Sequence, residues 1–323
     1  GLGAGILATI LVQSSSVSTA TIVGLVGGGG LPVAAAVPMI MGANLGTTIT
    51  STLVALGHIR QGQEFRRALA GASMHDFFNL LTLAVALPLE LATGFLSRSA
   101  IFLTDVLAGI APADPGAASA SPLRVVVGLP VELLASALEG TGAPPVIRAA
   151  ILLLVGLALI LGALASITRN MRLAMAGRFE RAFNALVDRG AGAGAMALGA
   201  VMTVVVQSSS ITTSILVPMV AAGVLSLKNA FPVTLAANLG TTVTALLASL
   251  ATDRPEALTV ALVHTLFNVF GIAVVYPVPQ VRHVPLRLAI GLAGLAQRRK
   301  VWVVAYIVGL FIVLPLIAIV ALR

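Results

Sequence analysis

Cysteine is absent from all 323 residues, and charge is scarce, with Asp, Glu, Lys and Arg together making up 9% of the chain. Without thiols there are no disulfides and no Cys-ligated metal centres. Soluble domains carry roughly 25% charged residues, so this composition cannot assemble an ordinary water-facing surface. No Asn-x-Ser/Thr glycosylation acceptor occurs. Neither a nucleophile–base pair nor a metal-ligand cluster can be picked out, so an enzyme and a transition-metal site are not expected. A basic leader is missing too: Gly1 already lies inside an apolar run, which reads as a trimmed or incomplete N-terminus rather than a signal peptide.

What the chain does have is apolar residues, 58% of the total, with a mean hydropathy of +1.06. Residues 149–167 and 301–322 are uncharged and close to the length of about 20 residues that spans a bilayer. The expected class is an all-α polytopic membrane protein with the lipid bilayer as its surroundings. The formal charge of +8 then reflects topology, since cytoplasmic loops collect Lys and Arg, and nucleic acid is not an expected partner.

The chain repeats itself. Gln13-Ser14-Ser15-Ser16 returns as Gln207-Ser208-Ser209-Ser210, and Asn44-Leu45-Gly46-Thr47-Thr48 as Asn238-Leu239-Gly240-Thr241-Thr242, both 194 residues on. Aligning 13–50 with 207–244 without a gap gives 18 identities in 38 positions. His75 and Asn79 match His264 and Asn268 at an offset of 189. Matched interruptions of apolar segments are the best sequence pointer to a transporter's binding site. Each Gln-Ser-Ser-Ser breaks an apolar stretch into halves too short to span, so each is expected at the tip of a re-entrant helical hairpin, with helices at 17–27 and 211–222 after the tips. Each Asn-Leu-Gly-Thr-Thr is expected to break a transmembrane helix.

Three further spans, 31–56, 67–96 and 149–167, separate the two tips. An odd number makes the repeats inverted. Segments 57–67, 169–189 and 277–300 then share one side and hold 13 of the 19 basic residues. The positive-inside rule makes that side cytoplasmic. The predicted organisation is repeat 1 at 1–97, an extracellular loop or interfacial segment at 98–147, repeat 2 at 148–277, and a basic cytoplasmic segment with a final transmembrane helix at 278–323. Residues 169–189 are expected as an amphipathic surface helix. Repeat 2 opens with a span and this surface helix. Their repeat 1 counterparts would precede Gly1, so one membrane helix is expected to be missing.

Helix N-termini at the two tips offer free N–H groups and partial positive charge, an anion site by construction. Gln13, Ser14, Ser15, Ser16, Gln207, Ser208, Ser209 and Ser210 are the candidate anion ligands. Hydroxyls both donate and accept, so Ser16 and Ser210 can also touch a cation. A permanent Arg or Lys at the tips would be costly in the membrane; a sodium ion can supply the countercharge and leave with the substrate. Asn44, Thr47, Thr48, Asn238, Thr241 and Thr242 supply the hard oxygens that sodium needs. Asp76 is a further candidate, because a carboxylate inside an apolar span is a functional hypothesis by default. Its repeat counterpart, Thr265, is not acidic. Hydroxyls and helix termini accept any tetrahedral oxyanion, so sulfate or arsenate stays open on these grounds, as does a membrane protein that senses its ligand without moving it.

The segments VQSSSVST at 12–19, IMGANLGTTITSTLVAL at 40–56, EFRRALAGASMHDFFN at 64–79, VQSSSITTSILVP at 206–218, ANLGTT at 237–242 and HTLFNVFGIAVVYPVP at 264–279 resemble the type II sodium–phosphate cotransporter family. The resemblance covers nearly everything except 98–147. It implies uptake of inorganic phosphate driven by the inward sodium gradient, with both Gln-Ser-Ser-Ser tips near the substrate and no cofactor beyond Na+ as coupling ion. Electrogenic members of that family resemble this chain at Ala70-Gly71-Ala72 and in having an acidic residue at the position of Asp76, which implies an extra sodium there. Vertebrate members carry a large, disulfide-bonded external loop. The short, Cys-free 98–147 segment points instead to a prokaryotic member in a cell membrane.

Overall fold

The computed structural model describes residues 1–110, 132–175 and 192–321. The described segments are α-helical throughout, joined by short turns. In order, the helices are α1 (Leu2–Val12), α2 (Ser15–Gly27), α3 (Val33–Gly46), α4 (Ile49–Leu56), α5 (Gly62–Thr93), α6 (Phe95–Ile110), α7 (132–139), α8 (Pro145–Met175), α9 (Gly192–Val206), α10 (Ser209–Ala221), α11 (Leu227–Ser249), α12 (Pro255–Val275), α13 (Pro279–Arg298), α14 (Val301–Val308) and α15 (Leu314–Ala321). A π-helical turn, Gly309–Val313, joins the last two. Among the described residues, Val33–Leu56, Gly62–Thr93, Leu227–Ser249, Pro255–Val275 and Val301–Val320 are long and apolar enough to cross a membrane.

Two pairs of short helices, α1/α2 and α9/α10, carry the Gln-Ser-Ser-Ser motifs at their turns. The 194-residue offset reappears in how they pack. A Cβ on Gly5 would sit 2.0 Å from the Met39 carbonyl oxygen, and one on Gly199 2.3 Å from that of Val233. Gly46 lies against Ile6 and Thr9, and Gly240 against Ala200 and Thr203. Every member of these sets is displaced by 194. Small residues let helix backbones approach closely where lipid supplies no hydrophobic drive between helices, and here they seat α1 on α3 and α9 on α11.

The second arm of each pair crosses to the other half. Helix α2 packs on α11 and α12, whereas α10 packs on α4 and α5. Apolar clusters fill the seams, one around Ile6, Val23, Ile40 and Phe267, another around Met74, Phe78, Phe231 and Leu286. Helix α13 lies along α5, and α6 along α12.

Three expectations change. The helices after the tips start at Ser15 and Ser209, two residues earlier than expected, because Ser14 and Ser208 act as their N-caps. The Asn-Leu-Gly-Thr-Thr motif interrupts only the first repeat, between α3 and α4, and even there Thr47 and Thr48 keep right-handed helical dihedrals. Helix α11 runs unbroken through Asn238–Thr242. Thr47, Thr48, Thr241 and Thr242 each return their hydroxyl proton to a carbonyl three or four residues back, a bond that suits a continuing helix and can bend it. Residues 98–110 belong to α6, which joins the bundle and is cross-linked to α12 by Thr104 and Thr259 hydroxyls 2.9 Å apart. The rest of the predicted external segment to residue 131, and 176–189 of the predicted surface helix, lie outside the described residues, while 169–175 continue α8.

Candidate functional site

The two tips have one geometry. Gln13 and Gln207 are left-handed, with φ of 56° and 54°, and among the described residues they are the non-glycine positions of positive φ. Non-glycine residues adopt that conformation uncommonly, and a left-handed residue is a common way to end a helix. It ends the first arm, with the Gln13 N–H returning to the Thr9 carbonyl. The following Ser is extended and caps the next helix: Ser14 Oγ accepts from Val17 N–H at 3.3 Å and Ser208 Oγ from Ile211 N–H at 3.4 Å. One capping bond at each end leaves other first-turn N–H groups without an intrahelical partner.

The tips meet. Ser16 Oγ donates to the Gln207 backbone carbonyl at 2.7 Å, across 191 residues of sequence. Ser15, Ser16, Ser209 and Ser210 are buried, and Ser209 Oγ has no hydrogen-bond partner. Two helix N-termini thus converge on a buried polar spot. One turn behind the serines, Thr19 and Thr213 donate to the carbonyls of Ser15 and Ser209. They are a repeat pair at the 194 offset, a signal sufficient to find them in the sequence. Thr213 also pairs with Ser51 of α4 at 2.9 Å.

Asp76 lies at the middle of α5 and is fully buried. Its Oδ2 accepts from Thr52 at 3.3 Å and from the Tyr306 hydroxyl. Its Oδ1 is buried without a hydrogen-bond partner, and the hydroxyl of Thr48, one helical turn before Thr52, donates to the Leu45 carbonyl. Thr265, the counterpart of Asp76, returns its hydroxyl to the Ala261 carbonyl of its own helix. Nothing in sequence separation pointed to Thr52 or Tyr306, which stand 24 and 230 residues from Asp76.

Asn44 and Asn238 are both hydrogen-bonded within the bundle. They belong to a ladder of amides linking α3, α5, α11 and α12. His75 Nε2 and Asn238 Oδ1 are 2.8 Å apart, Asn238 Nδ2 donates to Asn79 Oδ1 at 2.9 Å, and Asn79 Nδ2 donates to the Asn44 carbonyl at 2.8 Å. Asn268 Nδ2 donates to Asn44 Oδ1 at 3.2 Å. His75/Asn79 and His264/Asn268 share an i, i+4 spacing, which places both members on one helix face. His75 reaches the ladder, whereas neither ring nitrogen of the equally buried His264 has a partner.

The family model described as Na+/Pi-cotransporter matches residues 1–111 and 148–297, and so takes in both tips, both Asn-Leu-Gly-Thr-Thr motifs and Asp76. The chain belongs to the Na+/Pi-cotransporter family. That family consists of transporters, not enzymes, and with its apolar helices the chain is a multi-pass all-α membrane protein. Among curated proteins it is 34% identical over 380 residues to sodium-dependent phosphate transport protein 2A of Ovis aries, covering 98% of this chain and 59% of that protein. It is 32% identical over 398 residues to sodium-dependent phosphate transport protein 2B of Homo sapiens, covering 98% and 58%. The chain therefore spans just under three fifths of the length of these curated relatives. No solved structure matches it.

Proposed function

We propose that this protein is a secondary transporter that takes up inorganic phosphate with sodium across a cell membrane, electrogenically and by alternating access of two inverted repeats around the paired tips. The observation that carries the reading is the meeting of Ser16 with the Gln207 carbonyl. It joins the turns that open two capped helices, and in this reading Gln13, Ser14, Ser15, Gln207, Ser208, Ser209 and Ser210 of those turns are the anion ligands. Amide N–H groups and hydroxyls there can replace the hydration of a phosphate oxyanion without a fixed cation. Family membership and the names of the relatives support phosphate over another oxyanion.

For sodium, the arrangement favours Asp76, whose Oδ1 is buried without a partner beside the Thr52 hydroxyl on Oδ2, with Thr48 one helical turn before Thr52. Thr47, Thr241 and Thr242 keep hydroxyl lone pairs after back-bonding to their helices, and Ser16 and Ser210 stand where the anion would be. Asn44 and Asn238 contribute less, because their amides are committed to the ladder between helices. A net positive charge carried inward per cycle adds about 2.3 kcal/mol of driving force per 100 mV. In this reading the basic loops are cytoplasmic.

The test is labelled phosphate uptake and phosphate-induced current in proteoliposomes, with sodium varied and sulfate as competitor. Uptake should require sodium and resist sulfate, and Ser15→Ala or Ser209→Ala should lower it by about tenfold or more, the scale of a lost hydrogen bond to a charged group. Asp76→Gly should abolish the current while some uptake persists. Uptake indifferent to sodium, or near-normal in both serine variants, refutes the reading.

A further inference from the structure

Among the described candidate spans the C-terminal one is the least buried, and half of its residues are exposed. Val301, Trp302, Val304, Val308, Ile312, Leu316, Ile317 and Val320 are all exposed apolar positions. Between 301 and 320 there is a single hydroxyl, Tyr306, one of two tyrosines in the chain. This hydroxyl points inward and donates to Asp76 Oδ2. Residues 298–323 lie outside the stretches that the family model matches.

The ring is held by construction. Phe77, next to Asp76 on α5, has its ring centroid 6.0 Å from that of Tyr306, and Phe311 stands edge-on at 6.4 Å and 82°. Tyr306 and Phe311 are five residues apart, about 140° around an ideal α-helix. The π turn Gly309–Val313 supplies the i, i+5 geometry that brings them onto one face, and such turns recur at functional sites. The carboxylate is thus gripped on one oxygen: Oδ2 takes the Tyr306 and Thr52 protons, while Oδ1 is left without a hydrogen bond.

We propose that Tyr306 is a positioning residue of the cation site: it fixes the carboxylate of Asp76 through Oδ2 so that Oδ1 stays available to a sodium ion. The proposal rests on the reading of Asp76 as a sodium ligand. A hydroxyl that merely filled space would have no bearing on sodium.

Tyr306→Phe keeps the ring and its two aromatic neighbours and removes only the hydroxyl. In proteoliposomes it should raise the sodium concentration for half-maximal phosphate uptake about tenfold while leaving the phosphate half-saturation at saturating sodium within twofold of wild type. On an Asp76→Asn background it should add nothing further, because its effect passes through the carboxylate. A readout without substitution is fluorine NMR of the detergent-solubilised protein labelled with 3-fluorotyrosine. Added sodium, with no phosphate present, should shift the Tyr306 signal and not that of Tyr276. If Asp76→Asn alters sodium dependence but Tyr306→Phe does not, or if the Tyr306 signal ignores sodium, the role given to Tyr306 is wrong. If Asp76→Asn leaves sodium dependence untouched, the reading of Asp76 as a sodium ligand fails first, and the proposal falls with it.

Discussion

Replacing Gly5 by Ala puts a methyl group where the α1–α3 seam has no room. The added Cβ would lie 2.0 Å from the Met39 carbonyl oxygen, 2.8 Å from its carbon and 2.9 Å from its Cα. All three are backbone atoms, so no rotamer change relieves the clash. Ordinary contact requires the helices to part by more than an ångström. The same seam is closed by Gly42 against Leu2 and by Gly46 against Ile6, so parting it loosens those contacts as well. Overpacking of this kind costs about 1–3 kcal/mol. The helix-propensity gain of Gly to Ala offsets at most about 1 kcal/mol of that, and the loosened neighbours add to the loss. Gly24 of α2 provides the opposite case. Nothing lies within 4 Å of its would-be Cβ, so Gly24→Ala retains only the propensity gain of about 0.5–1 kcal/mol. Thermal unfolding of the detergent-solubilised protein, followed by loss of the monodisperse peak, should therefore show a lower midpoint for Gly5→Ala and a higher one for Gly24→Ala. Gly199→Ala should follow Gly5→Ala, because it meets the Val233 carbonyl in the same way. A Gly5→Ala midpoint at or above wild type would refute the close-approach reasoning, and a Gly199→Ala midpoint that did not fall would refute the claim that packing obeys the repeat.

Two other substitutions examine parts of the bundle away from the tips. Asn238→Leu strips two hydrogen bonds from the amide ladder and leaves His75 Nε2 and Asn79 Oδ1 buried without partners, which should destabilise by about 2–5 kcal/mol; a thermal midpoint unchanged from wild type would show that the ladder is not a structural element. Glu90 accepts from the Leu96 and Ser97 N–H groups at 2.7 and 3.3 Å, and so caps the start of α6. Glu90→Ala should cost about 1 kcal/mol and speed amide exchange at the N-terminal end of α6, with exchange in α12 unaffected; equal exchange in α6 before and after would remove the cap.

How far the sequence carried can be read from particular residues. The Gln-Ser-Ser-Ser turns were legible because their chemistry is local: an extended Ser caps the helix that follows, and the same four residues do so twice. The second Asn-Leu-Gly-Thr-Thr misled, because Gly and paired Thr in an apolar run look like a break. Thr241 and Thr242 hydroxyls bond back to their own helix and Gly240 packs on Thr203 and Ala200, as Thr47, Thr48 and Gly46 do in the first repeat, so the same local bonds accompany both an unbroken and an interrupted helix. The ladder that Asn44 and Asn238 join was also beyond reach, since nothing local to an Asn says which helices will face it.

By itself, the sequence determined the class, the repeat and the position of the two capped turns. Composition decides the solvent a chain can face, and an offset of 194 needs no coordinates to be seen. The pairings were decided by tertiary structure alone. Ser16 meets Gln207 across 191 residues, His75 meets Asn238 across 163, and Tyr306 reaches Asp76 across 230. Nothing local to a tyrosine in an apolar helix says which buried carboxylate it will face; that depends on how α14 and its π turn dock against α5, and docking is set by the packing of the whole bundle.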